Sequence, residues 1–372
     1  MKLNNPFVIS GYKGSEYFCD RVEETQKLCR AICNESNVTL ISPRRYGKTG
    51  LIHHAFERLA AENGYETIYL DVFGTQNLAE FTAALAQAVI GRFDTPLEKM
   101  GDAAKRLVQM LRPTLSYDSV SGSPQLSVEL SGEQLPKTLD QIFSYLKEHD
   151  RRTVIAIDEF QQINEYPEKG VEALLRSYVQ FSPAQFIFSG SKQHLIRDMF
   201  TSPKKPFYQS TTLMPLGVIS ESSYYDFANG FFRNAGRKLS AEVFHALYER
   251  FDGVTWYLQA ILWDLYALGD DVVDCQQVED AVRARVQANE YDQQRLLDIL
   301  PDGARRLLRA IAREGVVKAP QAGDFIGRHA LRAASSVKTS LEMLVDKELV
   351  YHGDGGYVVY DRLLGEYLKS HD

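Results

Sequence analysis

The strongest chemical signal in the sequence is an eight-residue run, Ser42-Pro43-Arg44-Arg45-Tyr46-Gly47-Lys48-Thr49. It meets the phosphate-cradling pattern G-x-x-x-x-G-K-[ST] at every defining position except the first, where Ser42 stands for Gly. Gly47 lets the backbone turn close to phosphate oxygens. Lys48 can reach β- and γ-phosphates, and Thr49 can offer its hydroxyl to Mg²⁺. A Gly-Lys-Thr tripeptide in a basic turn is common by chance, so a second signal must decide. Residues 153–157, TVIAI, run apolar and β-branched into Asp158 and Glu159. Asp158 is placed to hold the water shell of a Mg²⁺ ion, and Glu159 to orient and polarise an attacking water. A solvent-facing acidic strand end is the weaker reading, because the two carboxylates lie downstream of a phosphate loop.

The elements that must position these residues alternate. Residues 21–35 read as a helix and VTLIS, 38–42, as a short buried strand. Pro43 pushes Ser42 toward an extended conformation, which suits a residue leaving that strand. A helix from about Gly50 to Asn63 points its positive N-terminal end at the same anion, and Gly64 closes it. Strand signals recur at 66–73, 153–157, 185–190 (QFIFSG) and in TTLMPLG, with helices over 77–92, 138–149 and 168–181. Five strands separated by helices predict an α/β fold with a parallel sheet and right-handed crossovers. Residues 112–136, rich in Ser, Gly and Pro, interrupt the pattern and read as an inserted hairpin or loop. Signals beyond 220 are helical. The tail from Val317 reads as two short helices followed by two strands around a Gly-rich turn.

A glutamate beside the metal aspartate predicts an extra strand between the loop-bearing strand and the acidic one, and QFIFSG is the candidate. Ser189, Ser191 or Lys192 then lies at its tip, near the γ-phosphate. Arg44 and Arg45 suit either phosphate clamping or pairing with carboxylates, because guanidinium forks do both. The nucleotide-contacting set is Ser42, Pro43, Arg44, Arg45, Tyr46, Gly47, Lys48, Thr49 and Gly50, with Ser189. Thr49 and Asp158 are the metal set, and Glu159 and Lys48 the catalytic pair. Trp256 and Trp263, seven apart on a helix, have core spacing.

Composition excludes several classes. The chain has 372 residues, 44% of them hydrophobic and 24% charged, which fits folded domains rather than a disordered chain. Its net charge of −7 argues against a general polyanion binder. Cys19, Cys29, Cys33 and Cys275 have neither zinc-finger spacing nor the density of a disulfide scaffold. No run approaches the ~20 apolar residues of a membrane span, and the first residues carry no signal-like apolar stretch. A cytoplasmic protein without membrane contact is expected.

SPRRYGKT, IAIDEFQ and FIFSGS, preceded by NPFVISGYKGSEYFCDRVEE, resemble the archaeal-type ATPases of the AAA+/STAND superclass. The resemblance covers nearly the whole chain. It implies a P-loop ATPase domain over 1–218, a helical lid over 219–300 and a winged helix over 301–372, with ATP or ADP and Mg²⁺ as cofactors. Phe18, Arg21 and Glu24 are similar to the family's Phe-x-x-Arg-x-x-Glu lead-in, which borders the nucleotide base. FDGVTWYLQ, 251–259, is similar to a Gly-x-Pro-x-Tyr-Leu lid segment, with Thr255 where Pro is typical.

The expected function is an ATP-hydrolysing conformational switch. The alternatives are an ATP-regulated DNA-binding protein and a non-hydrolysing nucleotide scaffold; retention of Lys48, Thr49, Asp158 and Glu159 argues against the last. Residues 320–372 carry six Lys/Arg against eight Asp/Glu. That balance disfavours DNA and favours a winged helix that packs within the chain or binds an unknown protein partner. Self-association stays open, with Lys204 and Lys205 as a trans-acting candidate. His352, in the wing, reads as an exposed turn residue.

Overall fold

The computed structural model describes residues 3–93, 113–117, 124–128, 135–149, 151–353 and 355–371. It divides into two compact units, Ser10–Ile219 and a second made of the chain up to Ile9 with Ser220–Asp372.

The first unit is built on a parallel sheet. In chain order come α1 (Val22–Cys33), β1 (Val38–Ile41), α2 (Lys48–Asn63), β2 (Glu66–Asp71) and α3 (Leu78–Arg92). The hairpin strands β3 (Pro113–Tyr117) and β4 (Pro124–Val128) follow, then β5 (Thr153–Asp158), β6 (Gln185–Gly190) and β7 (Thr212–Pro215). Further helices span Leu135–Glu148, Val171–Phe181 and Gln193–Thr201. The sheet order is β2-β5-β6-β1-β7, so β6 is the extra strand expected between the loop-bearing and acidic strands. Strands β3 and β4 pair antiparallel within the stretch expected as an insertion; its residues 112, 118–123 and 129–134 lie outside the described ones.

Alternation along the strands explains the two-sided core. Val154 and Ala156 of β5 and Ile187 of β6 face α1 and α2, packing with Leu28, Ile32, Leu51 and Ile52. Ile155 and Ile157, with Phe186 and Phe188, face the opposite layer around Phe81, Leu139, Leu175 and Phe200. All six residues of β5 are buried, as a central strand covered on both faces requires.

Three boundaries differ from the sequence reading. Helix α2 starts at Lys48 rather than near Gly50, because Gly47 takes the left-handed conformation (φ 88°) and ends the loop there. Strand β2 ends at Asp71. The helix expected from 168 begins at Val171, behind a left-handed Gly170.

The second unit is mainly helical up to Asp298, with a small parallel pair, β8 (Lys238–Leu239) and β9 (Val272–Val273). Its last part is a winged helix. Helices Asp302–Glu314, Gly323–Arg328 and Ala334–Asp346 precede the wing strands β10 (Val350–Gly353) and β11 (Gly356–Val359), and Arg362–Ser370 closes it. Arg250 of the helical part bonds Glu366 of the closing helix at 2.6 Å, and the Tyr257 hydroxyl donates to Asp361 at 3.2 Å.

The chain up to Ile9, expected with the sheet domain, joins this unit instead. Phe7 is fully buried among the rings of Phe227, Phe231, Phe232 and Tyr266. The same segment corrects the reading of both tryptophans as core. Trp263 is 37% exposed and its carbonyl accepts from Asn5, while the half-buried Trp256 donates its indole N–H to the Ile9 carbonyl. Among the described residues no helix is long and apolar enough to cross a membrane.

Candidate functional site

The phosphate loop joins β1 to α2. Arg45 (φ 70°) and Gly47 (φ 88°) are both left-handed, and such alternation turns backbone N–H groups toward a common concavity. The first turn of α2 has no side-chain cap, so its N–H groups point outward as they do at an anion-binding helix end. Lys48, 7% exposed, folds back over the loop; its ammonium donates to the carbonyls of Ser42 and Pro43 at 3.2 and 3.0 Å. An anion in this concavity would meet a cation whose burial has already removed most of its water. Ser42 is buried and its hydroxyl donates to the Pro43 carbonyl. Arg44, Arg45 and Tyr46 are half-buried along the loop.

Pairing of β1, β6 and β5 brings the acidic residues to this loop. Asp158, 5% exposed, accepts from four donors. Thr49 Oγ1 and the Tyr69 hydroxyl reach Oδ2 at 3.1 and 2.7 Å. Ser189 Oγ and the Glu159 N–H reach Oδ1 at 2.5 and 3.0 Å. Glu159 has a left-handed backbone (φ 56°), a conformation that costs a non-glycine residue about 1–3 kcal/mol and turns its side chain out of the strand.

Of the three residues at the tip of β6, two belong to this cluster. Ser189 touches Asp158, and Ser191 donates to Glu159 through both its hydroxyl and its N–H. Lys192 turns away to Glu165 at 2.9 Å. Lys205, of the trans-acting candidate pair, is held locally by Glu172 and Asp198.

Sequence reasoning missed several residues. Tyr69 has no spacing signature; burial, followed by the neighbouring Asp158 charge, pushes its hydroxyl pKa up. Its ring lies 4.7 Å from His53 on α2, whose imidazole burial holds below the ordinary value against the opposing pull of Asp158. Asp71 is pushed up by burial, with the Asp158 and Glu159 charges adding and the Phe73 N–H opposing. Arg21, which the sequence already marks as part of the lead-in, acts as a strut beside the loop. Left-handed and 3% exposed, it pairs with Glu24 at 2.8 Å and donates to the carbonyls of Tyr46 in the loop and Gly217 beyond β7. A Cβ on Gly50 would stand 3.1 Å from the Phe18 ring, so this glycine lets the lead-in pack against the first turn of α2.

A phosphate loop, a threonine and an aspartate in contact, and a buried apolar strand tipped by serines inserted between the loop-bearing and acidic strands define a P-loop ATPase domain. Residues 18–261 match the ATPase domain found predominantly in Archaea, and residues 291–370 match a probable winged helix domain. The chain belongs to this archaeal-type ATPase family. Among solved structures it is similar to the Walker-type ATPase PABY2304 of Pyrococcus abyssi, with a TM-score of 0.67 and 18% identity over 98% of this chain and 99% of that one. It is also similar to the Aeropyrum pernix ORC1 protein in complex with DNA (TM-score 0.54, 15% identity, 99% and 97% covered). The ADP form of the Aeropyrum pernix ORC2 protein is similar too (TM-score 0.54, 16% identity, 94% and 92% covered). At such identities these likenesses speak for the fold. No curated protein matches the chain significantly.

Proposed function

We propose that the chain is a Mg²⁺-dependent ATPase that works as a nucleotide-driven conformational switch in the cytoplasm. The observation that carries this reading is the meeting of Lys48, Thr49, Asp158 and Glu159 at neighbouring strand ends, with Ser189 between them. Residues Ser42 to Gly50 hold the phosphates, with N–H groups supplied by the loop and the start of α2, and Ser189 sets the edge of the site. Lys48 leaves its two carbonyl partners for the β/γ charge. Thr49 and Asp158 would hold the metal, which would supply positive charge against the negative charge developing on the phosphate. Glu159 orients the attacking water and takes its proton. The three parts expected from the sequence (1–218, 219–300 and 301–372) are then motor, lid and output.

The test is turnover and binding of Glu159→Gln. Gln keeps the shape and cannot accept a proton, so ATP binding should persist while hydrolysis falls roughly a hundredfold or more. Turnover within a few-fold of the unmodified protein would remove Glu159 from this role. A pull-down with the same ATP-trapping form would then look for the protein partner, and sedimentation would report self-association.

DNA regulation is the second reading. Over the matched range 291–370 there are 12 Lys/Arg against 11 Asp/Glu, a more even balance than residues 320–372 alone give. The ORC1 structure above is a complex with DNA. Against it, many of these basic groups are paired: Arg305 and Arg306 with Asp302, Arg328 with Glu314, and Lys338 with Glu342. Anisotropy with random duplex at ~0.15 M salt separates the readings. Weak binding favours the protein-facing one; tight binding lost on deleting 320–372 would favour DNA.

A further inference from the structure

We propose that Gln161 is a positioning residue for Glu159, fixing the carboxylate so that a single oxygen faces the water. The proposal rests on the reading of Glu159 given above. Three donors converge on one carboxylate oxygen, Oε2: Gln161 Nε2 at 2.5 Å, Ser191 Oγ at 2.8 Å and the Ser191 N–H at 3.2 Å. The other oxygen, Oε1, accepts from no described residue and is not among the buried unpaired atoms, so it remains open to solvent.

The environment of Gln161 indicates what the amide is for. The residue is 3% exposed, and since a carboxylate only accepts, its NH₂ end must face Glu159. Its own carbonyl oxygen is then buried without a donor among the described residues. An orphaned acceptor of that kind costs stability, so an apolar side chain of similar size would serve the fold better. The strand end is also shaped for it. A Cβ on Gly190 would stand 1.9 Å from Gln161 Oε1, so the glycine leaves the space in which the amide lies. Space and donor together hold Glu159, whose free side chain would otherwise sample several rotamers. Ser191 is the second clamp.

Steady-state ATP hydrolysis by the full chain with Mg²⁺ tests this. Gln161→Leu should lower kcat roughly ten- to a hundredfold, with KM within about twofold and a thermal midpoint equal to or above that of the unmodified protein. A structural role alone would lower stability with activity and would not split kcat from KM. Ser191→Ala should lower kcat several-fold and Ser191→Thr, which keeps the hydroxyl, should not; this pair stands if Gln161→Leu fails to fold. Adding Gln161→Leu to Glu159→Gln should change nothing further, since the amide acts through Glu159. A further loss in that double variant, or normal kcat in Gln161→Leu beside an impaired Glu159→Gln, overturns the proposal and leaves the ATPase reading intact. Normal turnover in Glu159→Gln itself would overturn the parent reading.

Discussion

The Tyr69 hydroxyl donates to Oδ2 of Asp158 across neighbouring strands, at 2.7 Å, on the same oxygen that accepts from Thr49. The register Tyr69↔Ala156 and Asp71↔Asp158 puts the tyrosine two residues back from the acid on the adjacent strand, close enough for its long side chain to reach the carboxylate. Asp158 is therefore fixed from both sides, by β2 and by β6. Tyr69→Phe should loosen it and reduce kcat/KM at limiting Mg²⁺ roughly three- to tenfold, as loss of one hydrogen bond of about 1 kcal/mol implies. Normal turnover under those conditions would show that the hydroxyl does not position the acid.

Lys48→Ala should weaken ATP binding by at least ~10-fold, or ~1.4 kcal/mol, because the ammonium that balances the β/γ charge is gone. The Ser42 and Pro43 carbonyls it holds lie in the loop rather than in a strand or helix, so the fold should survive. Calorimetry on the folded variant checks this; unchanged affinity would sink the phosphate-loop assignment.

Arg237→Ala should destabilise the helical and winged-helix unit by about 2–4 kcal/mol. Its guanidinium, on a side chain 9% exposed, donates to the carbonyls of Leu265, Tyr266 and Asp270 at the C-terminal end of helix Thr255–Leu268. It also lies 5.0 Å from the Phe232 and Tyr266 ring centroids. Lys at this position, lacking the planar fork, should recover only part of the loss. Denaturant unfolding of the full chain measures it, and a midpoint unmoved by the Ala variant would reject the capping role.

Stability should fall as the pH drops below about 6.5. Burial holds the imidazoles of His53, His54 and His149 below their ordinary value. The unfolded chain then binds protons that the folded chain does not, so stability rises with pH across that window. Asp71 and Glu172, raised by burial, act in the opposite sense at lower pH. Midpoints at about pH 7.5 and about pH 5.5 should differ, and His53→Gln should shrink the difference. Identical midpoints would rule the effect out.

Much of this protein was legible in one dimension. The phosphate loop, the acidic strand end and the periodicities around them are local patterns, and each dictates its element through burial or backbone geometry: β-branched apolar runs for covered strands, a glycine where the loop must turn left-handed. The place of β6 followed from the glutamate beside Asp158. Tertiary structure alone decided which neutral side chains serve those acids. Tyr69 and Gln161 act on groups brought to them by sheet pairing and chain crossing, and a single hydroxyl or amide leaves no periodic trace. The same holds for Phe7, which belongs with helices more than 200 residues further along the chain. An aromatic side chain goes where the most apolar surface can be buried, and the sequence does not say where that surface will be.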